Sequence, residues 1–89
     1  MTEVDIHILN SLGLHARAAA QFVYLANTFR SQIHVARNGI RVDGKSILGL
    51  LTLAAACGVR LRLSADGDDE AQAVEQLAAL VRAKFGEGS

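Results

Sequence analysis

The 89-residue chain has no tryptophan, no proline, one cysteine and one tyrosine, and its nine basic residues are balanced by nine acidic ones. Each scarcity removes a class of function. A lone Cys57 cannot close an internal disulfide, and the Cys–His spacings of a zinc site are missing, so no metal is expected. Zero net charge leaves no basic surface for neutralising phosphates along a polymer, and so few aromatics give no platform for stacking bases. No nucleic-acid partner is expected. No apolar run approaches the ~18 residues of a membrane span, and no charged-then-apolar segment with a small-residue cleavage site opens the chain. The length fits one domain, residues 1–89. The expectation is a small cytoplasmic monomer without a cofactor. At 51% hydrophobic residues it carries more apolar surface than its size requires.

What is present is a clear change of period along the chain. Val4 to Leu9 alternates Val4, Ile6 and Ile8 with Asp5 and His7, as a half-buried strand does. Asn10 to Gly13 reads as a turn. From Ala16 to Arg30 the apolar residues Ala19, Phe22, Val23 and Ala26 recur at helical spacing. Ile33–Arg37 and Ile40–Asp43 form a predicted hairpin around Asn38-Gly39, whose residues suit positive φ. Ser46 is a natural N-cap for a helix over Ile47 to Ala56, with Gly58 as its left-handed C-cap. Val59 to Ala65 alternates again. The acidic turn Asp66–Glu70 opens a last helix running to about Phe85, with Val74, Leu77, Ala78, Val81 and Phe85 as its apolar stripe. The order β-α-β-β-α-β-α predicts an α+β open-faced sandwich: a four-stranded antiparallel sheet with three helices on one face. Asp5, His7, His34, Arg60 and Arg62 belong on the other face. Cys57 reads as a small core residue near the helix end.

Of the three histidines, His7 and His34 occupy outward strand positions, where an exposed polar side chain is ordinary. His15 differs, because it stands where the turn meets the first helix. There the backbone N–H groups of Ala16, Arg17 and Ala18 lack intrahelical partners and the positive end of the dipole points outward. An anion beside His15 would meet those donors, and Arg17 adds a fork suited to phosphate oxygens. The same field disfavours a second positive charge, so it biases the imidazole toward the neutral form that a nucleophile needs. A neutral imidazole can accept a phosphoryl group covalently. Histidine is not a favoured cap, so capping alone explains it poorly.

Leu12-Gly13-Leu14-His15-Ala16-Arg17, followed by Ala18-Ala19, resembles the active-site stretch of the HPr family. These are the histidine-containing phosphocarriers of the bacterial phosphoenolpyruvate-dependent phosphotransferase system. A second block, Gly44-Lys45-Ser46-Ile47-Leu48-Gly49-Leu50-Leu51-Thr52-Leu53-Ala54, is similar to the family's regulatory-serine segment. The resemblance covers essentially the whole chain. It implies that His15 is phosphorylated on Nδ1 by the system's first enzyme and passes the group to a downstream sugar-specific or regulatory component. Arg17 would hold the phosphoryl group and contact partners. Ser46 would be phosphorylated by an ATP-dependent kinase/phosphatase in lineages that possess one. One departure is visible: the family has proline after the arginine, and here that position is Ala18. A proline there fixes φ and removes an N–H in the first turn, where no intrahelical bond is lost. A modest change in rigidity or transfer rate is the expected result.

Ile47 to Cys57 carries no charge, and its apolar residues surround the helix, so part of Ile47, Leu48 and Leu51 should stay exposed as a docking patch. In the resembled fold this helix lies beside His15. Ile47, Leu48, Gly49 and Leu51 would then share one docking face with Arg17, Ala20 and Lys45, with Arg17 and Lys45 giving it a positive tint. The leading reading is a stoichiometric phosphoryl carrier, not an enzyme acting on a small substrate. Within it, the sugar-uptake and the nitrogen-related regulatory branches are both open. The different-class alternative is a non-relay interaction module switched at Ser46. His15 discriminates, since such a module has no need of a nucleophile at a helix N-terminus.

Overall fold

A computed structural model describes residues 1–88. Strand β1 spans Thr2–His7, helix α1 Ala16–Ala26, strands β2 and β3 Gln32–Arg37 and Ile40–Asp43, helix α2 Ile47–Thr52, strand β4 Arg60–Asp66 and helix α3 Glu70–Arg82; a 3-10 turn, Lys84–Gly86, follows. The sheet order is β1-β4-β2-β3, antiparallel throughout. It is the expected open-faced sandwich. The alternation of β4 puts Leu61, Leu63 and Ala65 into the core, opposite Ile6, Val35 and Ile33 of its neighbours in the sheet. Phe22, Leu50, Leu77, Val81 and Phe85 from the helical layer close over that face. Glu3, Asp5, His7, Arg60 and Arg62 are exposed, and His34 is half-buried.

The helices are shorter than periodicity alone predicts, and each shortening has a local cause. Helix α1 stops at Ala26, not Arg30. Beyond it the amides of Arg30 and Ser31 and the Ser31 hydroxyl all donate to the Asp69 carboxylate, at 2.9, 3.0 and 2.5 Å, which takes the chain off the helical path. Asp69 stands at the N-cap of α3 yet makes no side-chain cap there. The hydrogen bond from the Ser31 hydroxyl, then that from the Arg30 amide, pulls its carboxyl from 3.8 to about 2. Helix α2 ends at Thr52, not Ala56, because Arg37 Nη1 donates to the carbonyls of Leu53 and Ala54 at 2.7 and 3.0 Å and Ala54 takes a φ of +50°.

Two further expectations fall with that early stop. Gly58 is not the C-cap of α2; it lies further along, where its N–H donates to Ile8 at 2.7 Å. Cys57 is not a core residue: it sits exposed in the loop after α2, its Sγ 3.6 Å from the Leu9 carbonyl. Helix α3 ends at Arg82 rather than near Phe85; left-handed Lys84 and Phe85 then turn the tail. Among the described residues no helix is long and apolar enough to cross a membrane.

Candidate functional site

The turn between β1 and α1 is built for close approach. Gly13 has φ +73°, and a Cβ there would stand 2.7 Å from the Ala55 carbonyl oxygen. That oxygen accepts the Leu14 N–H at 2.8 Å, so the loop after α2 forms the floor of the turn. Only a glycine lets the two backbones meet this closely. Above the floor, Asn10 is fully buried and its Nδ2 donates to the Gly13 carbonyl at 2.7 Å.

His15 is the N-cap of α1 in extended backbone (φ −84°, ψ 177°), and its side chain makes no cap hydrogen bond. The first α-helical bond runs from Ala19 N–H to the His15 carbonyl at 2.8 Å, so the N–H groups of Ala16, Arg17 and Ala18 have no backbone acceptor among the described residues. Ala16 and Arg17 are exposed, whereas Ala18 is buried. An uncapped helix start with exposed donors is suited to an anion.

The imidazole is not idle. Its Nε2 lies 2.5 Å from Glu87 Oε2, and Glu87 Oε1 accepts from Asn10 Nδ2 at 3.1 Å. The side chains are 28% exposed for His15 and 17% for Glu87. The hydrogen bond to His15 is the main reason the Glu87 carboxyl lies below the ordinary glutamate value; Asn10 and the positive charge of Arg17 act in the same direction. An ionised carboxylate only accepts, so the proton of this hydrogen bond is on Nε2, and Nδ1 is the ring nitrogen outside the contact.

Ser46 lies elsewhere. Its Oγ accepts the Gly49 N–H at 3.0 Å and caps α2. Lys45 Nζ donates to the Phe29 carbonyl at 2.9 Å, beyond the C-terminal end of α1, while Leu14 and Ala55 pair at the opposite end. The two helices therefore run antiparallel, and Lys45 and Ser46 are separated from His15 by the length of α1, roughly 16 Å at 1.5 Å per residue. This corrects the expected positive site: Arg17 shares it with His15, and Lys45 does not. Leu48 is 77% exposed and Ile47, Gly49, Leu51 and Ala20 are half-buried; Leu12, on the turn before His15, is 71% exposed. Among the described residues no group of three or more His, Cys, Asp or Glu is placed to hold a metal ion.

Sequence reasoning misses Asn10 as anything beyond a turn residue, and it misses Glu87 altogether. No periodicity marks Glu87, which stands between two glycines after the last helix. The one signal was the want of a partner for the second ring nitrogen of His15.

Residues 2–83 match the family model described as the PTS HPr component phosphorylation site. The chain is 49% identical over 88 residues to the phosphocarrier protein HPr of Cupriavidus necator, covering 99% of each chain. It is similar to a crystal structure of HPr from Thermoanaerobacter tengcongensis, with TM-score 0.96, 47% identity and full coverage of both chains. A second HPr structure from that organism is a dimer, matching at TM-score 0.79 and 48% identity over 98% of this chain and all of that one.

Proposed function

The chain belongs to the HPr family of phosphocarrier proteins, and from that premise we propose that Nδ1 of His15 is the atom that carries the phosphoryl group. The donor is the phosphoenolpyruvate-dependent first enzyme of the phosphotransferase system. The acceptor is a downstream sugar-specific or regulatory component. In the loading step the Nδ1 lone pair forms a bond to phosphorus while the bond from phosphorus to the donor breaks, its electron pair leaving with the donor. In the unloading step a nucleophilic atom of the acceptor forms a bond to phosphorus as the N–P bond breaks and its electron pair returns to Nδ1. Each copy accepts and then donates one phosphoryl group per cycle, so it acts as a stoichiometric relay and not as an enzyme with a small substrate of its own.

The observation that supports this most is the open start of α1: a histidine N-cap without a cap bond, beside the exposed N–H groups of Ala16 and Arg17. Those donors and the Arg17 guanidinium would hold the phosphoryl oxygens, with the Ala18 N–H beneath them. Each dipole contact is worth only about 0.3–1 kcal/mol at an exposed site. A carrier needs that weakness, because a tightly held group is not handed on. Leu12 and Leu48 would dock partners, with Ile47, Gly49, Leu51 and Ala20 around Leu48. Lys45, spent on Phe29, would contribute at the far rim. Ser46 would accept a second, regulatory phosphate from an ATP-dependent kinase; placed at a helix start, the added charge leaves the fold intact and repels an acidic partner surface. Function in the cytoplasm follows from dependence on phosphoenolpyruvate. One copy holds every residue of the site, so the relay needs only a monomer.

Incubation with labelled phosphoenolpyruvate and purified first enzyme tests the proposal. Wild type is expected to take up acid-labile phosphate and His15→Ala none; an unlabelled wild type, beside an active control carrier, would overturn it.

A further inference from the structure

The tail that follows α3 ends on the reactive ring, and nothing in the fold's core requires this. Left-handed Lys84 and Phe85, with φ of 57° and 55°, turn the chain at the end of α3. Phe85 buries itself, and two residues on Glu87 reaches His15 Nε2 with one carboxylate oxygen and Asn10 Nδ2 with the other. Asn10 is itself pinned by the Gly13 carbonyl, inside the turn that shapes the site. The carboxylate therefore has one fixed anchor and one functional contact. A side chain needed only for packing would show neither.

We propose that Glu87 is a positioning residue of the phosphoryl site: anchored by Asn10, it holds the His15 ring with the Nε2 proton toward itself and the Nδ1 lone pair toward the incoming phosphorus. This deepens, and rests on, the carrier reading. The two ring nitrogens face opposite sides of the imidazole, so carboxylate and phosphoryl group occupy different atoms. During loading, Nδ1 gains its bond to phosphorus and the ring becomes positively charged while Nε2 keeps its proton. The carboxylate compensates that charge, as an aspartate does for the histidine of a catalytic triad. During unloading the acceptor's nucleophilic atom bonds to phosphorus as the N–P bond breaks, the pair returns to Nδ1 and the ring is left neutral, its proton still on Nε2. No proton has to be found or lost in either direction. Loss of the carboxylate would let the ring rotate and leave the positive charge formed on loading uncompensated, slowing loading.

The test uses the full chain with ¹⁵N-labelled histidine. In unphosphorylated wild type the His15 ring signals should report protonated Nε2 and unprotonated Nδ1. In Glu87→Ala and Glu87→Gln they should move toward a mixture, with the thermal midpoint unchanged. With the first enzyme as donor, both variants should load with a maximal rate reduced about tenfold and with the half-saturating concentration unchanged, less than the ~10²–10⁴ that a general acid or base itself contributes. Glu87→Asp should recover part of the rate. Ring signals identical to wild type together with rates within twofold would overturn the proposal. A wild type that takes up no phosphate would overturn the carrier reading and the proton-holding steps with it. Loading of wild type with unchanged variant ring signals counts against Glu87 alone.

Discussion

Two helices begin on the same layer of this molecule, and they treat their first turns in opposite ways. Helix α2 begins with Ser46, whose hydroxyl accepts the Gly49 amide at 3.0 Å and closes the turn. Helix α1 begins with His15, which caps nothing and turns its ring to Glu87 instead. A serine cap is the stabilising choice, typically worth about 1 kcal/mol over alanine. Forgoing it at α1 leaves the backbone donors of Ala16, Arg17 and Ala18 without a cap beside an imidazole ring. The difference teaches that a helix start can serve the fold or serve a ligand, and that the cap residue decides which.

The comparison can be broken by substitution. The largest effect is expected from Gly13→Ala, which places a methyl 2.7 Å from the Ala55 oxygen at a φ of +73°. Stability should fall by about 1–3 kcal/mol, with phosphate uptake impaired as the turn is displaced. Urea unfolding beside the uptake assay would check both. Ser46→Ala should cost about 1 kcal/mol in the same unfolding experiment and leave uptake on His15 unaltered. An equal loss of uptake would mean that the two helix starts are not separable. Leu48→Glu should change stability by less than ~0.5 kcal/mol, because Leu48 is 77% exposed, while weakening first-enzyme binding in calorimetry.

The smallest effect is a pH dependence. Asp69 has a carboxyl depressed from 3.8 to about 2, so the stability it adds is complete above the ordinary aspartate value and is lost as pH falls toward 2. The Ser31 amide signal, followed by NMR in acid, should move only in that window.

Much of this site was legible in the sequence because it depends on local rules. His15 after a glycine turn, the free donors at 16–18 and the Ser46 cap are all consequences of neighbours in the chain. So was the fold, since alternation in β1 and β4 and helical spacing in α1 and α3 are local patterns. What escaped depends on contacts between distant segments. Asp69 shortens α1 from 38 positions away at Ser31, and Arg37 ends α2 from 16 positions away at Leu53. Glu87 reaches His15 across 72 positions from a segment with no periodicity to mark it. Cys57 reads as core only if α2 continues to Ala56; the stop at Thr52 leaves it in an exposed loop.

The account's central claim is that Nδ1 of His15 is the loaded atom, with Nε2 held by Glu87. Identifying the phosphorylated ring nitrogen by ³¹P–¹⁵N correlation, after loading by phosphoenolpyruvate and the first enzyme, tests it most directly. The predicted result is a single phosphoryl group on Nδ1 of His15. A phosphoryl group on Nε2, or on any residue other than His15, would contradict it.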